Sequence, residues 1–454
     1  MNVLFRKSIS ALCFLFLLSS IHALGAEAAR KAQAHYVNSS NPRADDAGPG
    51  TQARPWRSLD AVNAHSMQPG DSVYFARGSS YSGVVVIKDS GTAEEPIKLA
   101  AYGSGAAPRF TNPRYSEQFG NMIQVHGSWI VIEDLCFHDG VPAAPTAPSS
   151  VARTIAAVFI AEGAQHVVVR NCEAINCPVA VRAYGEYALI TRNYFHDTTN
   201  QFLCSPNWGP VAVMLMVSNL EASYNRVEHY YMVGGSWGAD GGAFEIDGRN
   251  AKKNINIHHN KVFDTQGFLE TDAGGPYSDV TIAYNEANVT EKFIGMTNAS
   301  HWLVENNTIV RTETRPPGYN DVNWFITGTT NTEWRNNIIV VANGLQAFHN
   351  GLGALQIHDH NLYFSVDGST MDPIPGARGI GDKVGDPLFV DFTKRDYHLR
   401  VGSPAIEAGT DRGYTNDLDG NPIPKGRAPE MGAYEYTSGT KSSRTHRRIW
   451  DPFY

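Results

Sequence analysis

The sequence is poor in features that define several other protein classes. Its formal net charge is −8, with 37 Lys and Arg residues against 45 Asp and Glu residues. The chain therefore lacks the basic stripe that binds nucleic acid, and a polyanionic substrate would need local compensation by Lys, Arg or a bound cation. The 42 Gly and 24 Pro residues are too few for a disordered or collagen-like chain. After the amino-terminal segment, no apolar run is long enough to span a bilayer.

Cysteine is also scarce, and its use fits the export that the amino terminus predicts. Residues 1–28 are predicted to be a secretory signal peptide, with Arg6 and Lys7 before an apolar run at 9–18 and small residues after it. We therefore expect a secreted or periplasmic monomer without a membrane span. The mature chain keeps Cys136, Cys172, Cys177 and Cys204. These four allow three disulfide pairings or buried thiols, and a metal site is disfavoured because no His stands at a zinc-like spacing.

A repeated motif, apolar–x–apolar–x–x–Asn, dominates the middle of the chain. Its clear copies end at Asn260, Asn285 and Asn307, its looser copies end at Asn171, Asn193, Asn225, Asn337 and Asn361, and Asp134 ends a relative of the motif. Successive copies are 22 to 35 residues apart, which indicates a stacked repeat architecture. Because the apolar residues alternate, each repeat should consist of strands. The sequence therefore predicts an all-β, right-handed, single-stranded parallel β-helix, since the hexapeptide repeat typical of left-handed helices is absent.

The repeats are expected to occupy residues 121–365, between two capping modules. Residues 35–120 should form an N-terminal cap and the first turns, and residues 366–436 a C-terminal cap, because the open ends of a strand stack expose unpaired edges. Residues 437–454 are expected to be a flexible basic tail. The Asn at one fixed point of each repeat predicts an internal ladder of side-chain amides that bond from turn to turn.

Two neighbouring repeats place acidic residues over one another. A shift of 25 residues superposes Glu245 on Glu270 and Asp247 on Asp272. Side chains alternate along a strand, so the four carboxylates should face outward on strands ~4.8 Å apart. Such like charges repel, and the remedies are a bound Ca²⁺, a shared proton or nearby cationic groups. Each remedy is also a catalytic arrangement; the alternative is a solvated acidic face without a function.

Further candidate residues lie close to these acids in sequence. The interval from Asn225 to Asn260 is ten residues longer than the next, and the excess forms an aromatic, Gly-rich loop. We expect this loop either to form one wall of a sugar-binding groove or to pack as a surface loop. A lyase also needs a base and a group that stabilises the enolate. The candidates for these roles are His229, Tyr230, Arg182 and Lys292. The candidates for substrate binding are Trp237, Tyr231, Tyr184 and Arg249.

The chain resembles the secreted right-handed parallel β-helix proteins, which include polysaccharide lyases, glycoside hydrolases and uronan epimerases. The resemblance rests on the repeats, on the segment from His35-Tyr36-Val37 through Pro69-Gly70-Asp71 to Pro96-Ile97, and on Asp386-Pro387 to Glu435. It implies an exported carbohydrate-active enzyme without fixing the reaction, because one fold hosts many chemistries. The Asp-Pro-His-Asp signature of alginate epimerases and the Asn-Gly-x-Glu-x-Ile-Arg run of chondroitinases and alginate lyases are absent.

The leading hypothesis is a lyase that cleaves an acidic, uronate-containing polysaccharide by β-elimination. In this hypothesis Glu245, Asp247, Glu270 and Asp272 hold Ca²⁺ or the substrate. One alternative is a glycoside hydrolase that uses two of the same acids as paired carboxylates. Another is a non-catalytic β-helix that binds glycan or serves as a surface protein. A nucleic-acid partner is not expected.

Overall fold

The computed structural model describes ten segments of the chain. They are residues 30–113, 120–140, 155–198, 208–234, 238–271, 274–317, 326–327, 330–342, 355–368 and 378–438. The predicted signal peptide and residues 439–454 of the predicted tail lie outside them, as do Cys204, Trp237 and Asp272. Within the described segments, no helix has both the length and the apolar character needed to cross a membrane.

The described chain winds as a parallel β-helix with three faces, as the repeats predict. The first face consists of Ala34–Val37, Ser72–Ala76, Ile97–Tyr102, Ile130–Glu133, Val167–Arg170, Leu189–Thr191, Leu220–Ser223, Lys252–His258, Tyr277–Ala283 (also paired with Ala299–Ser300), Leu303–Glu305, Thr332–Arg335 and Leu355–Asp359. The second face consists of Ser80–Ser82, Arg109–Thr111, Cys136–His138, Glu173–Ile175, Tyr194–Thr198, Arg226–Tyr230, the first parts of Lys261–Thr271 and Glu286–Thr297, Thr308–Arg311, Ile338–Val341, Leu362–Ser365 and Lys383–Val384.

The third face carries the predicted acids. It consists of Val85–Ile87, Ile123–Val125, Val158–Ile160, Val179–Ala183, Val211–Leu215, Gly242–Ile246, the last parts of Lys261–Thr271 and Glu286–Thr297, and Ile326–Thr327. Two antiparallel pairs lie outside the faces, Met232–Val233 with Ala239–Asp240 and Phe389–Asp391 with Asp396–Leu399. The remaining described elements are the α-helix Leu59–Ala64 and the 3₁₀ turn Phe392–Lys394.

The interior of the β-helix is one continuous apolar core. Inward side chains from the three faces stack on those of the next coil, as in Phe244, Phe268 and Phe293, whose ring centroids are 5.3 and 4.6 Å apart in turn. The short amino-terminal helix buries Leu59 and Val62 in the same core. Each coil supplies one strand to each face, so consecutive strands in the chain lie on neighbouring faces. A turn is therefore long enough to connect them.

The predicted Asn ladder runs along the corner between the first and second faces. In this ladder the side-chain Nδ2 of each Asn donates a hydrogen bond to Oδ1 of the Asn on the next coil, at 2.9–3.1 Å. The members are Asn193, Asn225, Asn260, Asn285, Asn307, Asn337 and Asn361. All are at most 2% exposed. Asn171 and Asp134 are not members, because each occupies the left-handed position one residue earlier. In the coil that contains Asn171, the ladder position is occupied by Cys172, whose backbone N–H donates to Asn193 Oδ1 at 3.0 Å.

The carboxy-terminal segment packs along the side of the β-helix. Phe389, Leu399 and Leu418 join an apolar cluster with the outward residues Phe263 and Val340 of the second face. Ion pairs reinforce this contact: Arg412 with Glu305 at 2.7 Å, and Lys261 with Asp419 at 3.4 Å. Within residues 378–436, the predicted C-terminal cap therefore packs along the second face and also contacts Glu305 of the first face.

The three described cysteines are buried thiols. Cys136, Cys172 and Cys177 are not disulfide-bonded. Burial raises the pKa of the Cys177 and Cys172 thiols to about 12, so both stay protonated. The thiol alternative therefore holds for these three.

Candidate active site

The predicted superposition of acids is present on the third face. Glu245 pairs with Glu270 on the next coil, while Phe244 and Ile246 beside Glu245 point into the core. Glu245 is partly buried and the Glu270 side chain is 37% exposed. The outward column continues through Met214 on the coil before. The two carboxyls thus stand on adjacent strands, ~4.8 Å apart, on the outer surface.

A buried lysine compensates this pair. Lys292 Nζ lies 3.1 Å from Glu270 Oε2 and 2.6 Å from Glu291 Oε1, and its side chain is 7% exposed. Gly267 stands opposite Lys292 on the preceding coil, and a Cβ there would meet the lysine stem at 3.6 Å. Burial alone would lower the pKa of Lys292, but the negative charges of Glu270 and Glu291 outweigh burial and raise the pKa above its usual value. Lys292 is therefore a fixed cation.

Two acids of this cluster are absent from the predicted set. Asp240 accepts hydrogen bonds from the backbone N–H groups of Gly209 and Gly241, at 2.8 and 2.7 Å, and burial followed by the charge of Glu270 raises its pKa. Burial raises the pKa of Glu291 to about 7, although Lys292 opposes the shift. The sequence does carry a signal for Glu291, which adjoins a predicted site residue. For Asp240, the only signal is its place in the Gly-rich loop.

The surroundings of Glu245 favour its protonated form. Burial, then the charges of Asp247, Glu270 and Asp240, raise its pKa well above the usual value, and Arg182 opposes the shift only partly. Glu245 thus stands directly across from a carboxylate that is paired with an ammonium. Of the three remedies for the stacked charges, the described residues supply a neighbouring cation, and the raised pKa of Glu245 favours a retained proton.

Arg182 lies two coils before Glu245 in the same outward column. It is 1% exposed, and its Nε donates to Ile155 O at 3.2 Å. Burial lowers its pKa, against the influence of Tyr184, Asp247 and Glu245. Tyr184 is partly buried against the apolar cluster of this face, and Asp247 is 6% exposed. Arg182 therefore lies within electrostatic reach of Tyr184, Asp247 and Glu245, and the roles of these residues stay predictions.

Other predicted site residues lie elsewhere. Tyr230 is fully buried in the core and donates its hydroxyl to Cys177 O at 3.0 Å, so it cannot reach a substrate. The assignment of Tyr230 as a candidate base is therefore wrong; the preceding His229 adopts a left-handed conformation, φ 55°, which breaks the alternation of side chains. Arg249 is exposed in the turn after Gly242–Ile246. Trp237 and Asp272 lie outside the described residues.

His229 and Tyr231 belong to a second polar cluster, at the end of a second-face strand. His229 Nδ1 lies 2.6 Å from Asp197 Oδ1, and its Nε2 lies 3.6 Å from Asp264 Oδ2. The Arg315 guanidinium pairs with Asp264 and lies 3.7 Å from the centroid of the Tyr231 ring. Both predicted residues are thus engaged with partners of this cluster.

The described acids fit a calcium ion poorly. Calcium takes six to eight oxygen ligands, most of them from ionised carboxylates and carbonyls. Here the Lys292 ammonium lies against Glu270, and the raised pKa of Glu245 disfavours the ionised form that would bind calcium. Among the described residues, the one set of His, Cys, Asp or Glu side chains whose ligand atoms all lie within 4.8 Å is His35, His65 and Asp71. Asp71 already accepts four hydrogen bonds there, two of them from Arg30, which fill its lone pairs.

A polar cavity of about 530 Å³ lies on a different face. Its lining comes from four successive first-face coils and includes Asn256, Thr281, His301 and Glu333. It contains none of the third-face acids, so its volume does not bear on them.

Known protein families and curated proteins gave no match to this sequence. Solved structures do resemble it. The chain is similar to pectate lyase Pel9A, with a TM-score of 0.58, 14% identity, and coverage of 90% of this chain and 97% of the other. It is also similar to a rhamnogalacturonan lyase (TM-score 0.50, 13% identity, 92% and 99% covered) and to XylC in complex with xylose (0.50, 11%, 89% and 98%). At these identities the likeness shows the fold, and the predicted lyase-like β-helix is confirmed at that level.

Proposed function

We propose that this protein is an exported enzyme that cleaves polysaccharide at the outward carboxyl pair of the third face, by β-elimination on a uronate-containing chain. One observation carries the proposal: Glu245 stands directly across from Glu270, and Glu270 is paired with the buried cation Lys292. Burial raises the pKa of Glu245 well above its usual value, which suits a proton donor. The fold of known polysaccharide lyases and the predicted signal peptide support it.

Each group has a role in such a reaction. Glu270 accepts the proton from the carbon next to the uronate carboxylate, and the electron pair forms a carbon–carbon double bond as the bond to the glycosidic oxygen breaks. Glu245 gives its proton to that leaving oxygen. The positive charges of the buried Lys292 and Arg182 offset the negative charge that builds on the carboxylate. Because its raised pKa keeps Lys292 protonated, it acts as a cation and not as the base.

A glycoside hydrolase is the second candidate, and the same acid pair favours it. A protonated and an ionised carboxyl are the acid and base of a glycosidase. The described cluster contains five carboxyls, Asp240, Glu245, Asp247, Glu270 and Glu291, against the two cations Arg182 and Lys292. A neutral sugar suits this acidic balance better than a uronate does. The cations favour the lyase, since a neutral sugar needs no carboxylate neutralised.

Incubation of the purified protein with uronate polymers and with neutral polysaccharides separates the two reactions. A lyase product carries a carbon–carbon double bond conjugated to the carboxylate and absorbs ultraviolet light, whereas a hydrolase forms reducing ends without that absorbance. The proposal expects the ultraviolet product. Binding of a polymer without any product would support the non-catalytic alternative instead. Calcium binding stays a prediction, and it requires that added chelator abolish turnover.

A further inference from the structure

Among the described residues of its outward column, the acid pair opens to solvent over two coils of the third face. In the outward column, Arg182 and Met214 before the pair are 1% and 5% exposed, and Gly295 after it is buried. Between them, Glu245 and Glu270 reach the surface. Exposure therefore rises at the pair and falls again on both sides along the helix axis.

Described residues of the neighbouring outward columns are also buried. Two residues further along each strand, Met216, Asp247 and Thr297 are 7%, 6% and 8% exposed. On the other flank, Val211 is 8% exposed and Lys292 5% exposed. The described part of the opening is thus short along the axis and narrow across it.

An apolar wall closes the side toward the amino terminus. Val211, Met214 and Met216 form a cluster, and Trp208 and Tyr184 pack against it. This wall lies on the coils directly before Glu245. A site that bound the middle of a polymer would need an open groove at this place.

Asp240 fixes a second wall at the edge toward the second face. Its carboxylate bonds the N–H of Gly209 at 2.8 Å, which ties the segment that carries Trp208 to the pair of strands Met232–Val233 and Ala239–Asp240. A Cβ on Gly209 would lie 2.4 Å from the Asp240 carbonyl carbon, so the two segments are in close contact. On the opposite side, the turn after Gly242–Ile246 carries the exposed Arg249 beyond the buried Asp247.

From this geometry we propose that the site receives the end of a glycan chain and releases short products, so that the enzyme is exo-acting. The inference rests on the proposed function. Each coil advances ~4.8 Å, so a polymer that lay along the axis would need several open coils, and the described surface offers two. Arg249 is exposed in the turn after Gly242–Ile246, where it is available to an acidic group of the chain outside the site.

Product analysis during the first few per cent of conversion tests the inference. The wild-type protein should release one short oligosaccharide while the size distribution of the remaining polymer hardly changes. A ladder of fragments at the earliest times would overturn the exo mode and leave the cleavage itself intact. A complete absence of products from both uronate and neutral polymers would overturn the proposed function, and the exo mode with it.

A pair of variants identifies the wall. Trp208→Ala removes an aromatic side chain that packs against the apolar cluster containing Met214 and Met216, and it should lengthen the released products. Tyr187→Ala is the matched control, because Tyr187 is an aromatic residue, 48% exposed, on the first-face side of the coil. Its product pattern should equal that of the wild type. Unchanged product lengths in a folded, active Trp208→Ala protein would contradict the wall.

Discussion

The β-helix stacks like polar residues in two places, with opposite results. In the Asn ladder each amide both donates and accepts, so that Asn285 Nδ2 donates to Asn307 Oδ1 while Asn285 Oδ1 accepts from Asn260. On the third face, Glu245 and Glu270 stack in the same register, but ionised carboxylates can only accept. The ladder is satisfied by its own repetition, whereas the acid pair needs a proton and Lys292.

The difference indicates where chemistry can occur. A repeated amide inside the helix lowers the free energy of the fold and exposes nothing to a ligand. A repeated carboxyl on the outside keeps a proton whose affinity depends on its neighbours, and this is the property that a general acid requires. Substitutions in the Asn ladder and in the acid pair test this difference.

The largest effect is expected from the acid pair itself. Glu270→Gln and Glu245→Gln should each lower kcat by about 10²–10⁴-fold, because each removes a group that transfers a proton. Asp279→Asn is the matched control, since Asp279 is exposed on the first face at a left-handed position that Asn tolerates. Turnover of polysaccharide at saturating substrate is the measurement. If the Gln variants kept near-normal kcat, the site assignment would be wrong.

Lys292→Met should reduce the free energy of unfolding by about 3–5 kcal/mol, because it leaves buried carboxylates without their cation. The loss should be smaller at acidic pH, since Glu291, with a pKa of about 7 beside the lysine, then folds in its protonated form. Urea unfolding at the two pH values measures this. A second substitution, Glu291→Gln, should recover part of the loss. A loss that is independent of pH would show that packing, and not charge, is the role of Lys292.

Substitutions in the Asn ladder should lower the stability of the fold without changing the catalytic rate. Asn285→Ala removes the partner of Asn260 and Asn307 and leaves buried polar groups unpaired, which we expect to cost about 2–3 kcal/mol. Asn256→Ala, at an exposed position of a first-face strand, should stay within about 0.5 kcal/mol. Urea unfolding of both, together with kcat, separates the two columns. A large change in kcat for folded Asn285→Ala protein would contradict a purely structural ladder.

The sequence predicts these two columns to different extents, for physical reasons. Strand register is a regular repeat, so the shift of 25 residues correctly superposes Glu245 on Glu270. Alternation fails at corners, where a left-handed residue such as His229 resets the direction of the next side chain and sends Tyr230 inward. The same left-handed positions made Asn171 look like a ladder member.

Long-range contacts leave no periodic signal at all. Leu399 and Leu418 pack in one cluster with Phe263, which lies more than a hundred residues earlier in the chain. The local sequence of neither segment predicts this contact. Glu291 joins the site only because Lys292 folds between it and Glu270. Such contacts depend on the complete fold and could not be derived from local pattern.

The dependence of activity on pH tests the role of Glu245 as the proton donor of the acid pair. Activity needs protonated Glu245 and should fall as pH rises through its raised pKa. Asp247→Asn removes a negative charge that helps to raise that pKa, so ionisation becomes easier and the alkaline fall should move to lower pH. A shift of one unit corresponds to about 1.4 kcal/mol, or tenfold in activity at a fixed pH on that limb. An unmoved alkaline limb would mean that Glu245 is not the titrating acid.

The smallest effect should come from extending the ladder by one coil. Cys172 occupies the ladder position before Asn193, with its Sγ 3.8 Å from Ile132 O and 3.3 Å from Arg170 O. Asn193 donates its Nδ2 to Val169 O, and Val169 pairs with Ile132, so an amide at 172 would meet an equivalent carbonyl. Cys172→Asn should therefore raise the free energy of unfolding by about 0.5–1.5 kcal/mol, the net value of one hydrogen bond. Cys172→Ala is the control, and an Asn variant less stable than the Ala variant would show that the ladder ends where it does for lack of space.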